Sequence, residues 1–447
     1  MFDNRSKRGF GVVLIFVFLA AGCSSGNLAQ RTTDSDATIE SNIVPASVSG
    51  PADEAVPGYD ELDDEIEQAV EEEEVAEVEN HAERFAAEPF MMLDERENRG
   101  PRDMVIVAVG DVSQPTHQWV ETTEAIAGKA FEPTAELLDS GELVFMNLEN
   151  PMTTIEPVAK KTYAFNSPPE RLEWYIGAGF NMYSLANNHI ADSGEEGIVD
   201  TIRNIEHYAE KMNRPVWHAG AGSSPEEAVA PRYIRLEDKD VTIAFFSVGF
   251  SRSPNVGRFW DERLPEYIAE AREKADIVFV SVHAGREYQH VPEADTQKRF
   301  RSWIDAGADL VVGHHTHCVQ PVEQYKQGLI FYSLGNYVFA SRTRRHRKMN
   351  ARLYGMLTRI VIEDGKLRGA QIVPTWVNNS EDWTLDDGQV MPNANFTPQI
   401  LTGSFADQFF EDMEAWTLQA GGTPLERIGD TGFIRIQPPT EPVSQIW

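Results

Sequence analysis

Two cysteines in 447 residues, Cys23 and Cys318, are too few for a disulfide framework, so the folded part of the chain must be held by its core. Basic residues are also scarce. The chain has 39 Lys and Arg against 71 Asp and Glu, a formal net charge of −32, which argues against a nucleic-acid partner, since such a partner needs a basic face. Long apolar runs are missing as well. The stretch "FGVVLIFVFLAA" (10–21) falls short of the roughly 20 residues that a membrane-spanning helix requires.

That short run nonetheless has a meaning. Arg5, Lys7 and Arg8 precede it, which suits the core of a secretion signal. It ends in "LAAGCSS", which resembles a bacterial lipoprotein lipobox: the small Ala21 and Gly22 precede Cys23, although Ala20 stands where leucine is usual. The expectation is a signal peptide over 1–23, lipidation at Cys23 and an exported, membrane-anchored lipoprotein of the cell envelope. By the same resemblance, Ser24 favours the outer membrane in a Gram-negative host. Cys318 then has no partner for an intrachain bridge and reads as a small buried apolar residue.

Residues 24–100 differ from the rest. Ser, Thr, Ala and Pro dominate to Pro57, and the acidic block "YDELDDEIEQAVEEEEVAEVENHAERFAAE" follows, so that this region holds about half of the net charge. Such a composition cannot offset chain entropy by burial, and the segment is expected to be a disordered acidic tether.

From Met104 the pattern changes to short, continuous apolar runs at 104–109, 143–146, 182–186, 241–248, 276–282, 309–313 and 329–334. Continuous runs imply strands buried on both faces, hence an α/β layered fold. Helical patterns lie between them. Residues 194–212 carry an apolar stripe of Ile198, Ile202, Ile205, Ala209 and Met212. "SSPEEA" offers a capping box at Ser224 and Glu227, and 294–306 stops at Gly307. A hairpin is expected with its turn at Asp364-Gly365, and a short helix over 404–417. The chain divides into 1–23, 24–100, an α/β domain over 101–345, and a C-terminal hairpin and extension over 346–447 that completes or flanks it.

Polar residues follow the ends of these runs. Asp111 follows the first, Asn147 and Glu149 the second, and Asn187, Asn188, His189 and Asp192 the third. His283, Arg286 and Glu287 follow "DIVFVSV"; His314, His315 and His317 follow "DLVVG"; Asn336 follows "LIFYSL". Strand C-terminal ends converge on one crevice in open α/β sheets, so residues far apart in sequence can meet there. Carboxylates with several imidazoles suit a borderline divalent cation such as Mn, Fe or Zn. Such a cation polarises an ester or amide oxygen. The planar fork of Arg286 suits a substrate carboxylate or phosphate. The basic run "RTRRHRK" (342–348) reads as an exposed loop or a dock for an anionic polymer or lipid headgroups. "GAGSSPEEA" (220–228) opens a helix, but its two glutamates argue against anion binding there.

Six motifs in this order, "VGDV", "NLENP", "ANNHIADSGEEGI", "HAGREYQHVP", "GADLVVGHHTHCVQPVE" and "YSLGNYVF", resemble the CapA family of capsule and poly-γ-glutamate synthesis proteins, itself similar to calcineurin-like metallophosphoesterases. The resemblance covers about 104–340. It implies a four-layer α/β/β/α sandwich and an extracytoplasmic role in making, exporting or anchoring an anionic surface polymer. It further implies Asp111, Glu149 (or Asn147), Asn188, His283, His315 and His317 as metal ligands, with His189 acting on the substrate and His314 unassigned. Ser113 departs from the pattern, standing where the phosphoesterases have a histidine, and Asn-Leu-Glu replaces their Gly-Asp. These departures leave one or two ions open. They also leave open two functions: a metal-dependent hydrolase of the polymer or of a phosphoester, or a non-catalytic polymer-binding accessory protein of an export complex.

Overall fold

The computed structural model describes residues 100–115, 128–161, 163–340 and 353–436. The signal segment, Cys23, the acidic tether and the basic run 342–348 lie outside the described residues.

The first half of the described chain builds one sheet. Its strands are β1 (Met104–Ser113), β2 (Leu143–Leu148), β3 (Met182–Ser184) and β4 (Trp217–Ala219), all parallel. Between them run α1 (Ala135–Leu138), α2 (Leu172–Gly177) and α3 (Gly194–Met212). The second half builds a six-stranded sheet from β5 (Arg232–Leu236), β6 (Val241–Gly249), β7 (Ile277–His283), β8 (Leu310–His314), β9 (Val319–Tyr325) and β10 (Gly328–Leu334), in the order β5-β6-β7-β8-β10-β9. Helices α4 (Pro225–Val229), α5 (Leu264–Arg272) and α6 (Ala294–Asp305) accompany it. Pro321 lies in β9, at the sheet edge, where a missing N–H costs no ladder bond.

The chain then returns to the first sheet. β11 (Asn336–Phe339) pairs with the end of β1, and β12 (Tyr354–Glu363) lies antiparallel to β1. β13 (Lys366–Trp376) joins β12 through the expected turn, where Asp364 and Gly365 both hold positive φ. A small pair, β14 (Trp383–Thr384) and β15 (Val390–Met391), precedes β16 (Gln399–Ile400), α7 (Ser404–Ala420), β17 (Glu426–Ile428) and β18 (Thr431–Arg435). The first sheet runs β17-β18-β13-β12-β1-β2-β3-β4, so residues 354–435 supply the strand beside β1 and complete the domain.

Alternation along each strand sorts side chains into three cores. Ile106, Ala108, Phe145, Phe245, Phe279, Leu310 and Val312 fill the space between the sheets. Val105, Val107, Val144 and Met146 face outward onto Tyr175, Ile176, Ile198 and Ile205 of α2 and α3. Phe246, Val278, Val280 and Val311 face outward onto Leu264, Ile268, Phe300 and Trp303 of α5 and α6. Both faces of the central strands are thus dry, which explains their continuous apolar sequence. The result is the expected four-layer α/β/β/α sandwich. Helix α4 differs in detail from a capping box. Ser224 Oγ accepts from Glu227 N–H, but the Glu227 carboxylate takes the N–H and hydroxyl of Ser223.

Candidate metal centre

The site forms where the parallel strands of both sheets end, so its groups face one another across the sandwich and do not share the rim of one sheet. Five inward rows show how. Phe145 is followed by Asn147, Phe279 by Ser281 and His283, Val312 by His314, Met182 by Ser184, and Phe245 by Ser247. A bulge decides the orientation of the ligand on β1. Ala108 pairs with Phe145 but Asp111 pairs with Asn147, one extra residue on β1, and this turns Asp111 inward. Strict alternation would have pointed it at the helices. Gly110 makes the bulge possible, since a Cβ there would lie 2.0 Å from the Gly335 carbonyl oxygen.

The donors converge on His283, which is fully buried. Its Nε2 lies 2.7 Å from Asn188 Oδ1, 3.1 Å from His315 Nδ1 and 3.5 Å from Glu149 Oε1. Donor atoms of Asp111, Glu149 and His283 all lie within 4.8 Å of one another. Donors held about 2.0–2.2 Å from one ion at tetrahedral angles are about 3.3–3.6 Å apart, a range that the 3.5 Å between His283 Nε2 and Glu149 Oε1 meets. Glu149 supplies the strongest sign of fit. Both of its carboxyl oxygens are buried with no hydrogen-bond partner among the described residues, an arrangement that costs free energy unless a cation or donor answers it.

Electrostatics agree with that reading. Burial pushes the Glu149 carboxyl well above its usual range, and the neighbouring Asp111 adds to it. Burial also acts to raise Asp111, but the imidazoles of His314 and His283 outweigh it and hold the group below its usual range. Burial keeps the His283 ring neutral far below its ordinary value and pushes His315 down to about 4. Neutral rings are the form that binds a metal.

The supporting groups are well defined. Asn147 Nδ2 donates to Asp111 Oδ1 at 2.8 Å and sits 3.1 Å from His283 Nδ1. It therefore orients ligands, and Glu149 is the carboxylate presented to the site. His315 N–H donates to Asp111 Oδ2 at 3.2 Å. His315 and His317 both hold positive φ, uncommon for residues with a side chain. Thr316 ties their loop down through Ser333 and the Cys318 carbonyl. His314 Nδ1 lies 3.1 Å from Asp111 Oδ1, beneath the centre. His317 stands apart: its Nδ1 meets Asn336 Oδ1 at 2.9 Å, and its ring packs on Tyr288 and Phe339. Ser113 Oγ is turned to the Glu149 backbone carbonyl at 3.3 Å. Arg286 is exposed, makes no ion pair among the described residues, and does not line the cleft above the centre. Buried Cys318 has its thiol pushed up to about 12 by burial and takes no part.

His189 flanks the ligands. Its Nδ1 donates to Asp192 Oδ2 at 2.8 Å, its ring stacks on Phe165, and its Nε2 faces Glu149 Oε1 at 3.9 Å. Lys161 braces the whole turn, reaching Asp192 Oδ1 at 2.6 Å and the Asn188 carbonyl at 2.7 Å. Sequence reasoning missed Lys161 and Phe165, because neither lies near a strand end or in a motif.

A cleft of about 910 Å³ opens over Asn188 and His315. Comparison with known proteins accords with this constellation. "Capsule biosynthesis protein CapA" of Bacillus anthracis is 28% identical over 257 residues, covering 54% of this chain and 61% of that protein. "PGA biosynthesis protein CapA" of Bacillus subtilis (strain 168) is 32% identical over 241 residues, 52% of this chain and 62% of that one. The chain thus spans about three fifths of the length of these curated relatives. Among solved structures, a 5'-nucleotidase from Candida albicans SC5314 aligns over 58% of this chain and 51% of its own with 11% identity and a TM-score of 0.31. The profile described as "Bacterial capsule synthesis protein PGA_cap" matches residues 105–341, more than half of the sequence and every strand-end group of the centre. By that match the chain belongs to the bacterial capsule synthesis protein family PGA_cap.

Proposed function

We propose that this protein is an exported, lipid-anchored hydrolase of anionic surface-polymer synthesis. It processes poly-γ-glutamate, a similar polymer, or a phosphoester at a single divalent-cation centre. The observation that carries the reading is the convergence of Asn188, His315 and Glu149 on His283 Nε2, with the Glu149 carboxyl buried and otherwise unanswered. Asp111, Glu149, Asn188, His283 and His315 would hold Mn, Fe or Zn, which supplies Lewis acidity toward a substrate oxygen. One ion is favoured over two, because Ser113, with its Oγ turned to the Glu149 backbone carbonyl, cannot replace the missing imidazole.

The chain's own groups do the rest. Asp192 takes the Nδ1 proton of His189 in a hydrogen bond, which leaves Nε2 facing the centre to take and return a proton. Phe165 and Lys161 keep that ring and turn in place. The lipid anchor at Cys23 and the tether would hold the domain off the membrane, near polymer synthesis or export proteins. The Ser113 substitution also favours a second reading, a polymer-binding accessory protein without turnover.

The test loads the full chain with Mn, Fe or Zn and assays γ-glutamyl peptides and phosphodiesters. One equivalent of metal is expected, lost in His283→Ala, with hydrolysis lost in His189→Ala while the metal stays. Less than one equivalent, or binding indifferent to His283→Ala, overturns the metal centre. Stable binding without turnover selects the accessory reading. Fatty-acid labelling that survives Cys23→Ala overturns the anchor.

A further inference from the structure

We infer that Lys160 and Arg252 are specificity determinants of the cleft, receiving carboxylates of a polyanionic chain on either side of the group presented to the centre. The inference rests on the hydrolase or polymer-binding reading above and names its substrate contacts. Both residues line the same cleft as Asn188 and His315, and they come from separate loops, one before Tyr163 and one after β6.

The charges in this cleft are unevenly committed. Asp192 is paired with Lys161 at 2.6 Å. Glu195 accepts the Ser253 hydroxyl at 2.7 Å. The Glu287 carboxylate acts on His315 and Glu149. Lys160 and Arg252 are exposed, and neither side chain makes a hydrogen bond or an ion pair among the described residues. The lining thus carries three cations and three carboxylates, and Lys160 and Arg252 are the cations whose side chains have no partner among the described residues. Such charge steers and selects an anionic ligand, and an exposed Lys-to-carboxylate contact contributes modestly in binding but strongly in choice of partner.

Phe250 narrows the ligand class. It lines the cleft beside Arg252, is 49% exposed, and packs on Trp260 at 5.7 Å. An exposed ring beside a guanidinium suits a chain in which carboxylates alternate with methylene groups. It gives little to a polyphosphate, which has no apolar stretch. Arg252 brings a planar fork for one carboxylate, and Lys160 a mobile point charge for another.

The experiment measures binding of a γ-linked glutamate oligomer to the full-length, metal-loaded protein at low and high salt. Its fully amidated form and inorganic polyphosphate serve as comparison ligands. Lys160→Gln and Arg252→Gln should each weaken oligomer binding about three- to tenfold, the double variant more, with a shallower salt dependence and unchanged metal stoichiometry. Phe250→Ala should weaken the glutamate oligomer and leave polyphosphate unaffected. Wild-type affinity in the double variant, or equal affinity for the amidated oligomer, overturns the assignment. Tighter binding of polyphosphate than of the glutamate oligomer overturns the carboxylate choice. These failures are separable from failure of the underlying reading, which is read from the metal content of the same samples.

Discussion

The space between the two sheets has a dry half and a wet half, built on the same strands. At one end Phe145, Phe245 and Phe279 interlock, with ring centroids 5.0–5.9 Å apart. One step along, Ser184 bonds to both Ser247 and Ser281, at 2.8 and 2.9 Å. Asn147 stands level with Ser184, and one step further come His283 and His314. The face never changes; only the residue type on it does. The dry half supplies cohesion. The wet half spends some of it by burying a carboxyl without a donor and bending His315 and His317 into positive φ. The serine layer lets one pass into the other, because its hydroxyls satisfy one another and leave no stranded polar atom against the phenyl rings.

The comparison breaks most visibly from the dry side. Phe279→Ala removes a fully buried ring that touches both other phenylalanines, and should cost about 3–5 kcal/mol in denaturant unfolding. A loss under about 1 kcal/mol would mean that the inter-sheet core is not what holds the sandwich.

On the wet side the sign should reverse. Glu149→Gln keeps the shape and removes a buried carboxyl that faces Asp111 with no donor. Metal affinity should fall at least about a hundredfold, about 2.7 kcal/mol. Metal-free stability should hold or rise, as expected when an unanswered ionisable group is neutralised. Calorimetry with and without metal reads both numbers, and a metal-free variant that is less stable would assign Glu149 to cohesion.

A smaller effect separates acid sensitivity of the wet half from that of the helix layer. His218 on β4 is buried, its Nδ1 has no partner among the described residues, and its Nε2 lies 4.0 Å from Glu206 of α3. Burial, with Arg232 assisting, pushes it down to about 4 from 6.5. Between pH 6.5 and 4 the unfolded chain takes up a proton that the folded chain refuses, so stability falls as pH falls across that window. His218→Gln should recover on the order of 2 kcal/mol of this loss in unfolding followed against pH. The acid loss that remains then includes that of His189, His283 and His315, whose rings burial also holds neutral.

Much of this was legible from the chain alone. The seven apolar runs became strands, and 194–212 became α3 at the expected ends, because each pattern is local and strongly periodic. The strand-end groups were legible for the same reason: a polar residue directly after a buried strand has few places to go. Three things were not. β5 and β9 carry mixed sequences, exposed on one side or lying at an edge, and resemble loops until a neighbour pairs with them. Lys161 reaches the His189 turn from a loop with no periodicity. His317, which looks equivalent to His315, turns its Nδ1 to Asn336 of β11, a contact that no local pattern encodes.

By its residues alone this protein was committed to two-sided strands ending in carboxylates, amides and imidazoles, because burial and strand period are local properties. Whether those groups met was decided by folding. The second sheet had to stack on the first, and one extra residue in β1 had to turn Asp111 from the helix layer toward His283. That choice depends on Gly110 packing against a carbonyl more than two hundred residues away, a steric fact that exists only once the chain has closed on itself.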